Sequence, residues 1–144
     1  MVDESETSQS SIQDAELAAA LDPDNPDLHT NLGSKYLSTH HSWGAKQEFE
    51  RSLAIKRTAY ALGGRAQANY NLGDMKAAFD DAKASFELKP NFVCLSVLGD
   101  LAYDKKDMKS AKLYYMGMYH LGVRDDALLA RLKELGVSHP EKEK

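Results

Sequence analysis

The sequence predicts an all-α fold built from repeats, and three observations carry this prediction. Alanine recurs at a constant interval of thirty-three, at Ala45, Ala78 and Ala111. The residues around these alanines keep the same register, which predicts that one structural unit occurs three times. No segment combines polar–apolar alternation with turn signals on both sides, as a β-strand would. One unit of this length cannot bury its own apolar face, but stacked units can share a continuous core.

Four aligned columns describe what the copies share. They are Gly33, Ala66 and Gly99; Leu37, Tyr70 and Tyr103; Leu53, Phe86 and Tyr119; and Ile55, Leu88 and Leu121. The first column holds small residues, which are needed where two helices cross closely, because a larger side chain would hold the backbones apart. The other three columns hold large apolar residues. The copies therefore share a packing scheme.

Each copy is predicted to form two helices joined by a short turn. In the middle copy, Ala78, Ala82 and Phe86 are spaced by four, which places them on one helical face. The turn before them contains Gly73 and Asp74. Glycine readily takes the left-handed conformation that ends a helix. The first and third copies repeat this arrangement.

The middle copy carries the most complete motif: Leu72-Gly73-Asp74, Ala78 and Leu88-Lys89-Pro90-Asn91. With its neighbours over residues 26–123, this motif resembles the tetratricopeptide repeat. The resemblance implies a right-handed superhelical solenoid of three antiparallel helix pairs. The chain departs from the family pattern at Arg57 and Val123 in place of proline, at His40-His41 in place of the Leu-Gly turn, and at Arg65 in a leucine column.

The domain organisation follows from these patterns. We expect one domain over residues 11–136, flanked by a disordered tail at 1–10 and a flexible tail at 137–144. An alanine-rich half repeat at its start and a polar-backed capping helix at its end would cover the apolar faces of the terminal copies. The predicted units are the half repeat 11–25, repeats 26–58, 59–91 and 92–123, and the capping helix 125–136.

Composition excludes several function classes. The net charge of −4 and the pI near 5.7 argue against nucleic-acid binding, which requires a basic stripe. No apolar run is long enough to span a membrane, and the acidic start lacks the features of a secretory signal, so we expect a cytoplasmic protein. Cys94 stands alone and shares a column with Leu28 and Ala61, which predicts a buried thiol.

No catalytic or metal-binding constellation emerges, so we expect neither an enzyme nor a cofactor. Adjacent histidines at His40-His41 would point in different directions on a helix, and no third ligand lies at a suitable spacing. The acidic pairs Asp80-Asp81 and Asp125-Asp126 are expected on solvent-facing helix surfaces. Gly63-Gly64 lacks the lysine and hydroxyl residue of a phosphate loop.

The resemblance implies a peptide-binding groove lined by the first helix of each copy. Tyrosine suits such a surface because it offers a large contact area with few torsions to freeze. An alternative is that the groove is merely solvated or is filled by the chain's own termini. The implied groove residues are Asp27, Thr30, Ser34, Leu37, Ser38, Tyr60, Gly63, Gln67, Tyr70, Asn71, Val93, Ser96, Asp100, Tyr103 and Asp104.

The chemistry of the groove restricts its partner. Family members that hold the acidic C-termini of heat-shock chaperones use lysine, arginine and asparagine in the first helices. The corresponding positions here carry no positive charge, so we do not expect that activity; they are Thr30, Ser34, Gly63, Gly64, Val93 and Val97. Asp100 and Asp104, one turn apart, favour a cationic group instead. An apolar segment with a basic flank would match.

Two functions remain open from the sequence. The leading one is a protein-interaction scaffold or adaptor that binds a peptide or helix. The alternative is a small acidic bacterial secretion or assembly chaperone that holds an unfolded client segment, since such proteins are similar in size and layout. Self-association is compatible with either function.

Overall fold

The structure, a computed structural model, describes the backbone of residues 4–143 and the side chains of residues 7–143. This part of the chain contains eight α-helices and no β-strand, so the all-α class is confirmed. Neighbouring helices pack against one another in sequence order. Across the described residues, none of the helices has the length and apolar character needed to cross a bilayer. The helices are α1 Glu4–Leu21, α2 Pro26–Ser38, α3 Ser42–Ile55, α4 Ala59–Asn71, α5 Met75–Leu88, α6 Phe92–Asp104, α7 Met108–His120 and α8 Asp126–Glu134, followed by a 3-10 turn at Pro140–Lys142.

The sequence period sets where the helices begin. Helices α2, α4 and α6 start at the same interval as the three alanines, and so do α3, α5 and α7. The residues that cap α2, α4 and α6 are Asn25, Thr58 and Asn91, again one repeat period apart. Each cap side chain accepts a backbone N–H from the first turn of its helix, which satisfies a donor that the helix itself leaves free.

The turns inside the copies repeat in the same way. His40, Gly73 and Lys106 occupy equivalent positions in the three copies and have φ angles of 63°, 88° and 63°. Glycine takes this left-handed conformation without penalty, whereas histidine and lysine pay roughly 1 kcal/mol for it. The turn geometry is therefore kept in all three copies, although only the middle copy has the residue best suited to it.

Small residues do lie at close helix crossings. A Cβ atom added to Gly33 would lie 2.9 Å from the ring of Phe49, and one added to Gly99 would lie 2.6 Å from the ring of Tyr115. The three periodic alanines are fully buried, and Cys94 is buried as expected. The column of small residues therefore makes room for aromatic rings in the first and third copies.

The middle copy contains a polar pair, Arg65 and Asp81, and the predicted surface position of Asp81 is wrong. Asp81, expected on the surface, is only 9% exposed and accepts two hydrogen bonds from the Arg65 guanidinium, at 2.8 and 2.9 Å. The Asn69 side chain donates a further bond to Asp81 at 3.2 Å. Arg65 and Asp81 thus satisfy each other inside the helix pair, because burial of either charge alone would be costly.

Both ends of the described chain, where tails are predicted over residues 1–10 and 137–144, carry secondary structure. Helix α1 begins at Glu4, so residues 4–10 continue the helix; no proline or glycine interrupts it before Leu21. Residues 1–3 of that tail lie outside the described part. At the other end, Val137 is 2% exposed and packs in the core, and Pro140 is buried as well. Both are apolar side chains that gain by leaving water.

Candidate functional site

Helices α2, α4 and α6 form one continuous surface. Helix α4 contacts both α2 and α6, whereas no comparable contact joins α5 to α3 or to α7 among the described residues. We call this layer the α2–α4–α6 surface. It carries the residues that the resemblance assigns to a binding groove.

The predicted groove residues differ in their access to solvent. Gly63 is buried, because it packs beside Ser85, Asn91 and Val93. The exposed ones are Asp27, Ser34, Ser38, Tyr60, Asn71 and Asp104. The half-buried ones are Thr30, Leu37, Gln67, Tyr70, Val93, Ser96, Asp100 and Tyr103. Half-buried polar and aromatic residues are therefore concentrated in the second and third copies.

The first copy uses its hydroxyl groups internally. Thr30 Oγ1 lies 2.7 Å from Ser52 Oγ of α3, where it is within hydrogen-bonding distance. Ser34 and Ser38 donate to backbone carbonyls of α2, at 3.1 and 2.8 Å. These hydroxyl groups therefore each have a hydrogen-bonding partner within their own helix pair.

The middle copy presents an amide ladder. Gln67 Nε2 donates to Asn71 Oδ1 at 2.9 Å, and Asn71 Nδ2 donates to Ser42 Oγ of α3 at 3.2 Å. The two amides were expected to pair with a partner's main chain, but here they bond first to each other. This chain of bonds fixes the orientation of both side chains at the surface.

The third copy and its neighbours form the most organised part of the surface. The Tyr70 hydroxyl of α4 donates to Asp104 Oδ2 at 2.6 Å, and the Tyr115 hydroxyl of α7 donates to Asp100 Oδ1 at 2.5 Å. Tyr103 packs beside them against the same core. We call these five residues the Tyr–Asp cluster. Its two carboxylates are held in place by tyrosine hydroxyls.

Burial and hydrogen bonding shift the pKa values of Tyr70 and Asp100 in this cluster. Partial burial, together with the bond to Asp104, raises the pKa of Tyr70 to about 12, so its hydroxyl stays a donor at neutral pH. Burial also raises the pKa of Asp100, against the opposing effects of the Tyr115 hydrogen bond and of Arg131. A carboxylate that is partly desolvated in this way gains from a nearby cation.

Arg131 of α8 lies beside the Tyr–Asp cluster and is not among the residues predicted from the sequence. Its guanidinium carbon lies 3.9 Å from the centroid of the Tyr103 ring, and its Nη1 lies 3.5 Å from Glu134 Oε2. Tyr103 in turn donates to Glu134 at 3.3 Å. The sequence predicts only that Arg131 belongs to the polar-backed capping helix 125–136. The sequence does indicate this location: Arg131 comes three residues after Leu128 and one before Leu132, which places it at the edge of the apolar face of α8.

A cavity of about 310 Å³ lies between α6, α7 and α8 beside this cluster. Asp100, Tyr115 and Arg131 line it together with Asp125, Ser96, Ala127, Leu128 and Met118. Its lining brings the carboxylates of Asp100 and Asp125 together with the guanidinium of Arg131. This is enough space for an additional side chain.

A second polar region lies at the other end of the array and was also missed. His29 is buried, with Nδ1 at 2.8 Å from Glu48 Oε2 and Nε2 at 2.7 Å from the carbonyl oxygen of Pro23. Burial would lower the pKa of His29, but the bonds to Glu48 and Pro23 raise it above its usual 6.5. Arg51 pairs with the same glutamate. Every polar group named here has a partner, which favours a structural role.

The other motifs considered from the sequence do not gather into a site. His40 and His41 are exposed, and the described residues contain no cluster of three or more histidine, cysteine, aspartate or glutamate side chains suited to a metal ion. Three of the six positions at which chaperone-binding family members carry basic residues or asparagine are buried here: Gly63, Gly64 and Val97. These observations leave the Tyr–Asp cluster as the best-built polar site on the α2–α4–α6 surface.

No model of a known protein family matches the chain, and no curated protein matches it either.

Proposed function

We propose that this chain is a non-catalytic protein-interaction module that binds a peptide or a helix of a partner on the α2–α4–α6 surface. The observation that carries the proposal is the Tyr–Asp cluster. It combines two half-buried tyrosine rings with two carboxylates at one end of a continuous helical surface. Aromatic anchors and charged rims are the features that dominate recognition energy and steering in protein interfaces.

The proposal includes a tetratricopeptide-like architecture with a right-handed superhelical arrangement of the helix pairs. Support comes from the constant period of the helix starts, the caps and the left-handed turns. The contacts of α4 with both α2 and α6 agree with an inner layer made of the first helix of each copy.

The partner segment that fits best is apolar with a basic residue at one side. Tyr70 and Tyr103 would cover an apolar side chain, while Asp100 and Asp104 would attract the basic one. The overall negative charge of the chain adds long-range attraction for such a segment. An acidic partner would meet like charge at the same place.

The proposal is tested with a display library of random peptides selected on the intact protein. We expect the selected peptides to combine an aromatic or aliphatic residue with an adjacent arginine or lysine. Isothermal titration calorimetry should then show that Tyr70→Ala and Tyr103→Ala weaken binding by about 2 kcal/mol, or roughly 30-fold.

Tyr119→Ala is the matched control, because Tyr119 is also half-buried but lies on α7. It should bind like the wild type. The thermal unfolding of all three variants is measured first, since Tyr70 and Tyr103 also touch the core. Unchanged affinity in folded Tyr70→Ala and Tyr103→Ala proteins would contradict the proposal.

A holding chaperone is the second candidate, and a different surface favours it. Ile55, Leu88 and Leu121, one column of the repeat, are 44%, 49% and 52% exposed. Exposed apolar side chains offer contact area to an apolar segment of another protein. If this candidate is correct, the protein suppresses aggregation of a chemically unfolded reporter, and serine at these three positions abolishes that effect. An interaction module would leave aggregation unchanged.

A further inference from the structure

Arg131 occupies the position where a cationic ligand group is expected. Its guanidinium lies over the Tyr103 ring at 3.9 Å from the centroid, and it lines the same cavity as Asp100 and Asp125. Stacking on an aromatic face and proximity to carboxylates are the two interactions that a partner's arginine would make here. The chain therefore satisfies its own recognition site from α8.

Helix α8 does not depend on Arg131 for its position. Leu132 is fully buried and Leu128 is 5% exposed, and Val137 after the helix packs in the same core. The Asp125 side chain caps the first turn by accepting the Leu128 N–H at 2.8 Å. The Arg131 side chain itself is 36% exposed. It can rotate into solvent while the helix stays docked.

The charges around the site favour such an exchange. The carboxylates of Asp100, Asp104, Asp125 and Glu134 lie in or beside the cluster, and Arg131 is the cationic side chain that contacts it among the described residues. A second cation entering the site is thus attracted by the acids and opposed by Arg131. Replacing Arg131 by a neutral residue should therefore raise the affinity of the site for a second cation, while the carboxylates stay the same.

We propose that Arg131 is a built-in competitor of the binding surface, and that a partner binds by placing its own arginine or lysine side chain over Tyr103 and displacing Arg131. The inference rests on the proposed function and adds its regulation. Affinity for a cationic segment is held down by the chain's own side chain. Only segments whose apolar part also contacts the tyrosines gain enough to displace it.

The test uses N-acetyl-arginine methylamide as the probe, because it presents the guanidinium alone, and follows binding by amide chemical shifts of the full chain. Arg131→Gln should bind the probe about tenfold more tightly than the wild type, the equivalent of one stacked, partly desolvated guanidinium. The matched control is Lys133→Gln, which removes the same charge from an exposed residue of the same helix. It should bind like the wild type.

The citrulline analogue, of the same shape but neutral, should show no gain in any variant. Arg131→Lys keeps the charge but stacks less well on Tyr103, so its gain in probe affinity should be smaller than that of Arg131→Gln. This variant replaces Arg131→Gln in the test if Arg131→Gln does not fold. Equal probe affinity for Arg131→Gln and Lys133→Gln would overturn the inference, as would an equal gain with citrulline. The proposed function is tested independently of this inference: it is contradicted if the selected peptides bind folded Tyr70→Ala and Tyr103→Ala as tightly as the wild type.

Discussion

Phe49 and Tyr115 occupy the same position of the repeat, two copies apart, yet they do different things. Phe49 is 1% exposed, and its ring fills the space left by Gly33 and Gly64. Tyr115 is 3% exposed and fills the space beside Gly99 in the same way. Its hydroxyl, however, reaches Asp100 on the α2–α4–α6 surface. One added oxygen connects the core of the third copy to the surface.

The difference shows how a repeat can keep its architecture while only one copy acquires a site. The position equivalent to Asp100 is Ser34 in the first copy, and Ser34 donates to its own helix. Phe49, the aromatic residue of the first copy, has no hydroxyl group that could hydrogen-bond to a side chain at that position. In the third copy, a hydroxyl and a carboxylate appear together, and the pair costs stability unless each satisfies the other. The Tyr–Asp cluster therefore lies where the third copy departs from the repeat.

The largest effect is expected from Phe49→Ala. The substitution leaves a cavity between two helix pairs that were already brought close by glycines, so it should lower the free energy of unfolding by about 3–5 kcal/mol. Urea denaturation followed by circular dichroism measures this. Leu113→Ala, at a residue that is 66% exposed, is the control and should change stability by less than about 0.5 kcal/mol. If Phe49→Ala and Leu113→Ala lowered stability equally, the packing of Phe49 at the helix crossing would not be a main source of stability.

The middle copy, which has no aromatic at this position, should depend on its polar pair instead. Asp81→Ala leaves the Arg65 guanidinium and Asn69 without their acceptor, and we expect a loss of about 2–3 kcal/mol. Combining Arg65→Leu with Asp81→Tyr copies the residues of the third repeat, Leu98 and Tyr114, and should recover most of the loss. A double variant as unstable as Asp81→Ala would mean that the pair is irreplaceable. Thermal unfolding compares the two.

Tyr115→Phe converts the third crossing into the first and removes only the hydroxyl. The ring still fills the space beside Gly99, so the free energy of unfolding should fall by about 1.5 kcal/mol, the low end for one hydrogen bond to a charged group. The hydroxyl stabilises the ionised form of Asp100, so its removal should raise the pKa of that carboxyl further. A carboxyl-carbon titration by NMR measures the shift. A lower or unchanged pKa would mean that Tyr115 does not orient Asp100.

The smallest effect concerns the turns, where the copies differ by one residue. His40→Gly and Lys106→Gly should each stabilise the protein by roughly 0.5–1 kcal/mol, because glycine relieves a left-handed conformation that histidine and lysine adopt at a cost. Gly73→Ala should destabilise it by a similar amount. Chemical denaturation of the three variants measures whether each substitution raises or lowers the free energy of unfolding. Stabilisation by Gly73→Ala would show that the turns are not equivalent.

The sequence predicts the helical class and the close crossings because both depend on periodic residues that a single chain displays. The boundaries of α2 to α7 also follow the period, and Cys94 is buried as its column predicts. The Arg65–Asp81 pair, the His29–Glu48 pair and the position of Arg131 could not be predicted in the same way. Each depends on a contact between side chains of two different helices, and the periodic columns of the sequence do not show such contacts.

The most direct test of the central claim is to map a bound peptide onto the chain. A peptide selected from the display library is titrated into isotope-labelled protein, and amide shifts are followed for all residues. We predict perturbations along α4 and α6 around Gln67, Tyr70 and Asp100, and at Arg131 of α8. Perturbations centred instead on Ile55, Leu88 and Leu121, with the α2–α4–α6 surface unchanged, would contradict the assignment of the binding surface.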